Sequence, residues 1–260
     1  SISFVALFSA IATLGLDNIV IRELVTCKDK KDILLGTSFL LKIAGAFMLL
    51  IILAIGVQFT SNDTFTNLLI FIIAAGTLFQ ATNVIDYYFQ AKVQAKFSVL
   101  VKFWSMIGIS ILKLYFIHIE ASLILFALAT TLETISICFG YFLTYKLNKL
   151  SVFSWKFDTL IAISLLKNSW PLIFSGIVIS LYMRIDQVMI KEMLDTQAVG
   201  LYAAAVKLSE AWYFIPVVIS SSLFPAIIKS KGISEQFYSE RLQQLYDLLS
   251  IIAFSVVIPT

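Results

Sequence analysis

Charge is scarce in this chain. Of 260 residues only 13% are charged, about half the share of an ordinary soluble domain. A soluble chain of this length has no core large enough to hide the 60% that is hydrophobic, because surface-to-volume scaling leaves too much of it outside. A bilayer removes the conflict, since acyl chains accept an apolar outer face. Cysteine is almost missing: Cys27 beside a charged loop and Cys138 inside an apolar run give neither a disulfide framework nor a metal-ligand spacing. The single His118 cannot assemble a zinc site. No phosphate-binding GxxxxGK(S/T) occurs, which excludes ATP hydrolysis by the chain itself. No G-x-S-x-G or H-E-x-x-H occurs either. The expectation is a protein that is not an enzyme, with no cofactor, metal or nucleic-acid partner.

What is present is long apolar runs, at a mean hydropathy of +0.94. A spanning helix needs about 20 mostly apolar residues, and the stretches that qualify are roughly 1–20, 33–57, 67–90, 98–117, 121–145, 168–190, 200–228 and 245–260. They are too long for barrel strands and lack period-two alternation. The expected fold is therefore all-α, a polytopic transmembrane helix bundle of about eight spans. The chain is apolar from Ser1-Ile2-Ser3-Phe4 and stops at Pro259-Thr260 inside another apolar run, so it reads as an internal piece of a longer protein.

Loop charge orders these spans. Residues 21–32 hold Arg22, Lys28, Lys30 and Lys31, whereas 58–66 hold no lysine or arginine. Lys92 and Lys96 follow in the third connection, and the turn near His118 and Glu120 has neither type. The 146–167 connection carries Lys146, Lys149, Lys156 and Lys167, 191–199 only Lys191, and 229–241 Lys229, Lys231 and Arg241. Basic and non-basic loops alternate throughout, which predicts cytoplasmic basic loops. The outward loops, of about nine residues or fewer, leave no room for the catalytic groups of a membrane polymerase or ligase.

The longest gap between spans predicts a division: residues 1–150 as a first lobe, 151–167 as a cytoplasmic interfacial linker and 168–260 as the start of a second lobe. In the linker, Phe153, Trp155 and Phe157 precede Asp158, a candidate N-cap, and then Leu160, Ile161 and Leu165. A second amphipathic stretch, 234–249, offers Ser234 as a cap and repeats Phe237, Arg241, Leu245 and Leu249 every four residues. Both patterns suit helices in the headgroup region. Ser169-Trp170-Pro171 reads as a helix start.

An ionisable residue near the middle of a span costs about 2.5–3.5 kcal/mol on insertion scales, so each calls for a reason. Lys102 and Lys113 lie near helix ends and are expected to snorkel. Asp17 and Asp86, near cytoplasmic ends, are expected to pair with Arg22 and Lys92. Arg184 and Asp186 in the sixth span, with Lys207 and Glu210 in the seventh, are expected to converge at one depth. Lys42 and Glu133 are the deepest charges of the first lobe. Two readings fit: ion pairs that fasten neighbouring helices, or a polar vestibule. In the vestibule, Arg184, Lys207 and Lys42 take an anionic headgroup, while Asp186, Glu210 and Glu133 take up a proton or sodium ion. Pro216, after Trp212, Tyr213 and Phe214, predicts a kink lined by aromatics.

The stretches Ser169-Trp170-Pro171-Leu172-Ile173, Met183-Arg184-Ile185-Asp186-Gln187 and Gly200-Leu201-Tyr202-Ala203-Ala204-Ala205 resemble Wzx-type O-antigen and capsule flippases. So do Leu16-Asp17-Asn18, Asp86-Tyr87-Tyr88-Phe89-Gln90-Ala91, and Lys207 through Pro216. These polysaccharide transporters share a superfamily with multidrug (MATE) exporters. The resemblance implies two six-helix lobes around a cationic cavity in the bacterial inner membrane, of which this chain supplies helices two to nine. It also implies alternating access that moves undecaprenyl-diphosphate-linked oligosaccharide for lipopolysaccharide or capsule. Its partners would be that lipid-linked oligosaccharide, a proton or sodium ion, and polysaccharide assembly proteins. The alternatives are an ion-coupled multidrug exporter, expected to favour acidic over basic cavity residues, and a structural membrane protein with no cargo.

Overall fold

A computed structural model describes residues 5, 9–59, 63–194, 196–231 and 234–257. Their regular elements are helical: α1 (Ser9–Thr13), α2 (Asp17–Thr26), α3 (Lys31–Gly56), α4 (Thr64–Phe79), α5 (Val84–Ala91), α6 (Lys96–His118), α7 (Leu123–Leu147), α8 (Thr159–Met193), α9 (Thr196–Glu210), α10 (Phe214–Lys231) and α11 (Glu235–Val257), with short 3-10 turns between several of them. Backbone groups in a bilayer must be satisfied within their own segment, and helices do this.

Five helical stretches among the described residues are long and apolar enough to cross a membrane: Lys31–Gly56, Thr64–Ala91, Lys96–His118, Leu123–Leu147 and Thr159–Gln187. The α9–α10 pair makes a sixth if its 44° bend is taken within one span. The chain is thus a multi-pass helical membrane bundle, with fewer demonstrable spans than the eight expected. Part of the 1–20 stretch lies outside the described residues, and the rest is broken: Leu14 and Gly15 take φ of 52° and 59° between α1 and α2. Gly15 is required there, because a Cβ would meet Leu172 Cβ at 2.9 Å. At the other end, 234–249 and 245–260 form one helix through Val257, α11, with residues 258–260 outside the described set. Glu240, Arg241 and Asp247 fall within every stretch of it long enough to span.

The linker departs further from expectation. Asp158 does cap a helix, accepting from Ile161 N at 2.9 Å. That helix then runs unbroken through Pro171 to Met193, 35 residues in all. Ser169-Trp170-Pro171 is therefore mid-helix, and what remains of 151–167 outside that helix is a 3-10 turn, Val152–Ser154, and the extended residues after it. A proline in a helix interior removes a single backbone bond. The apolar flanks of α8 pack on α1 and α3 and hold the helix together across that gap.

The main core gathers at the basic-loop end of the bundle. Leu24, Val25, Leu34, Leu35, Phe89, Tyr141, Tyr145 and Leu165 are buried there. Ile173 of α8 and Phe224 and Ile228 of α10 pack against them. This ties the second half of the chain to the first at one end. Toward the other end, large apolar side chains such as Ile111, Leu114, Ile117, Phe174 and Ile179 are exposed. In a bilayer such a surface needs no partner other than lipid.

Candidate functional site

Charges inside the helices decide where chemistry is possible, and the described structure pairs most of them across helices. Lys42 on α3 is buried, with its side chain 3% exposed, and its ammonium lies 3.0 Å from Asp17 Oδ1 on α2. The Tyr87 hydroxyl of α5 donates to the same carboxylate oxygen and accepts from Lys42. Asp17 is half-exposed at 47%, so this three-helix cluster reaches solvent space only through its carboxylate. The expected Asp17–Arg22 pairing is not formed; Arg22 instead meets Glu23 at 3.0 Å. Position explains the choice: Asp17 opens α2, more than a turn from Arg22, and faces α3 and α5.

Asp86 is buried and bonds Lys102 at 2.7 Å, not Lys92. Lys113 and Glu133 meet at 3.2 Å across α6 and α7. Lys102 and Lys113 therefore serve as counter-ions rather than only reaching for the interface. Four acids meet four bases in this way: Asp17 with Lys42, Asp86 with Lys102, Glu133 with Lys113, and Glu210 with Arg184.

The last of these pairs lies beside a polar groove. α8 and α9 are consecutive and joined by a turn around Leu194. Arg184 on α8 places Nη1 at 3.3 Å from Glu210 Oε1 of α9, and its Nη2 donates to Oε2 at 3.4 Å. Two parallel bonds fix the guanidinium plane, the geometry that arginine offers and lysine does not. Two residues on, Asp186 accepts from its neighbour Gln187 N at 2.8 Å and from the Tyr202 hydroxyl. Among the described residues no lysine or arginine pairs with Asp186.

Beside these groups runs a groove of about 340 Å³ lined by Tyr182, Met183, Asp186, Tyr202, Val206, Ser209, Glu210 and Tyr213. Lys207 is exposed and is not among the lining residues. Three residues along a helix leave about 60° between side chains, enough to turn Lys207 away while Glu210 faces Arg184. Of the four charges expected to converge, three do, and with one base against two acids the cluster is net negative.

The kink predicted from Pro216 lies just before it. The chain breaks into a 3-10 turn at Ala211–Tyr213 and restarts at Phe214, with Pro216 in the first turn of α10. Proline is tolerated there because first-turn N–H groups have no intrahelical partner. Trp212 and Tyr213 sit at this bend, both half-exposed, and Tyr213 reaches the groove. The tyrosine partners Tyr87 and Tyr202 escaped sequence reasoning. The matching number of acids and bases within apolar runs was the signal that the charges pair.

No group of histidine, cysteine, aspartate and glutamate suited to holding a metal ion occurs among the described residues. Residues 1–231 match the family model described as polysaccharide biosynthesis protein. No curated protein and no solved structure matches the chain.

Proposed function

The chain belongs to the polysaccharide biosynthesis protein family, and from that premise we propose that it is a flippase for a lipid-linked oligosaccharide. In this reading it works in the bacterial inner membrane as a Wzx-type transporter with two lobes, 1–150 and the part from 168 onward, that alternate access. Its cargo is an undecaprenyl-diphosphate-linked unit destined for O-antigen or capsule, and polysaccharide assembly proteins receive the product. The observation that carries the reading is the Arg184–Glu210 pair beside an open, tyrosine-lined groove between two consecutive helices.

The pairing supplies a working step. Arg184 is neutralised by Glu210, so a diphosphate must displace that carboxylate to reach the guanidinium. A proton taken up by Glu210 releases Arg184 for the cargo, and loss of that proton re-forms the pair and expels the phosphate. Asp186, which accepts from the Tyr202 hydroxyl and the Gln187 backbone N–H, is a second ion-coupling candidate. Tyr182, Tyr202, Tyr213 and Ser209 offer ring faces and hydroxyls to the sugar. Lys42 is a weaker headgroup candidate, since Asp17 and Tyr87 already occupy it. Complementation of a flippase-null strain by the full-length protein tests the proposal. Arg184→Ala and Arg184→Gln are expected to lose surface polysaccharide at normal expression, with Arg184→Lys intermediate. Full activity in all three removes Arg184 from any binding role.

One observation favours a second reading, an ion-coupled exporter of small cations. Among the described residues the groove lining holds two carboxylates and three tyrosines and no lysine or arginine, a setting that suits cations. Efflux of a cationic dye from cells expressing the protein, lost in Asp186→Asn with surface polysaccharide unchanged, decides for the exporter.

A further inference from the structure

The turn between α7 and α8 displays an aromatic residue in an unusual way. Phe153 is fully exposed, at 102% of its reference area, on a segment that is held rigidly. The chain leaves α7 through Lys149 at φ 59°, with Leu150 N bonded to Tyr145 O at 3.2 Å. Ser151 caps the 3-10 turn by accepting from Phe153 N at 3.2 Å, and Ser154 Oγ donates to Ser151 O at 2.7 Å. Trp155 then anchors the segment: its ring lies 5.4 Å from Phe39 and 5.8 Å from Tyr145, and its indole N–H donates to the Tyr145 hydroxyl. Lys156 N bonds Asp32 O at 3.2 Å, and Asp158 N bonds Thr37 Oγ1 at 3.1 Å. At Gly36 a Cβ would come within 2.5 Å of Lys156 O, so α3 receives this segment in direct backbone contact.

With the backbone fixed, the side chains divide. Leu150, Val152 and Trp155 pack on the main core. Phe153 and Phe157 face out, and so does Leu160 at the start of α8. Exposed lysines 146, 149 and 156 flank the aromatics, and residues 146–157 contain no acidic residue. A rigid apolar tip ringed by three positive charges is complementary to the boundary between acyl chains and anionic headgroups. The segment joins two long apolar helices, so that boundary is within its reach.

We infer that residues 146–160 form an anionic-lipid docking surface, with Phe153, Phe157 and Leu160 inserted below the headgroups and Lys146, Lys149 and Lys156 bound to lipid phosphates. This fixes the joint between the two halves of the chain at the membrane surface. The inference stands apart from the cargo and requires no transport.

The test places a bimane or nitroxide label at F153C in the full chain carrying C27S and C138S, reconstituted into vesicles. Oxygen, which partitions into lipid, is expected to reach a nitroxide at this position more readily than a water-soluble nickel chelate does. Each lysine at an anionic surface contributes roughly fivefold to binding at low salt. Quenching of bimane by doxyl-phosphatidylglycerol should therefore exceed quenching by doxyl-phosphatidylcholine by at least about threefold, and K146Q/K149Q/K156Q should bring the two to parity. These lysines are exposed, so a thermal scan of the triple variant should match the parent. Preferential access of the nickel chelate overturns the inference, and so does a label shielded from both reagents, which indicates a protein partner. Equal quenching by the two lipids in the parent protein overturns it as well.

Discussion

The Asp17–Lys42–Tyr87 cluster and the Arg184–Glu210 cluster use the same kinds of groups under different cover. In the first, three helices close around a buried ammonium and only a carboxylate looks out. In the second, two consecutive helices hold a part-exposed pair, 28% and 21% exposed, beside a groove. Burial makes the first cluster a fastener, because removing a partner strands a charge that cannot be hydrated. Openness makes the second replaceable, because water or a ligand can take over either partner. The contrast makes the first cluster a stability element and, in the proposed flippase reading, leaves the second free to meet cargo.

The strongest way to break this contrast is Asp17→Leu, which leaves Lys42 charged and buried. A loss of about 3–5 kcal/mol in unfolding free energy is expected. Lys42→Met should cost less than half of that, since the remaining carboxylate is half-exposed, and the double variant should recover most of the loss. Equal costs for the two single variants would erase the asymmetry. Arg184→Ala should cut surface polysaccharide at least tenfold while shifting stability by no more than about 1 kcal/mol; a large stability loss would make this pair a fastener too. Asp86→Asn, at a buried acid whose partner is exposed, should cost about 1.5 kcal/mol by thermal or denaturant unfolding. Glu133→Gln, in a pair about one-third exposed on both sides, should cost only about 0.2–1 kcal/mol.

Periodicity and capping made much of the helical frame legible. The run 33–57 corresponds to Lys31–Gly56 and 121–145 to Leu123–Leu147, because apolar length dominates where a helix must lie in lipid. Asp158 and Ser234 cap as their chemistry dictates, the latter accepting from Phe237 N at 3.1 Å. The Pro171 position misled because a proline at a helix start and one inside a supported helix look alike in sequence. Ion-pair partners were less legible. Lys42 lies 25 residues from Asp17 and Lys102 lies 16 from Asp86, and helical spacing defines a face without naming the helix it meets. Arg184 and Glu210 were found because α8 and α9 are consecutive and must be neighbours. Lys207 was misplaced because i, i+3 spacing guarantees only rough alignment, and the groove takes one side of that face.

Exchanging the two charges separates cargo handling from helix fastening most directly. The variant Arg184→Glu/Glu210→Arg, in the full-length protein, keeps a pair between α8 and α9 but moves the guanidinium to the other helix. It should fold with near-normal stability and fail to restore surface polysaccharide in flippase-null cells, as each single reversal also fails. Restoration to the wild-type level by the exchanged pair, with the single reversals inactive, would mean that the pair only fastens two helices.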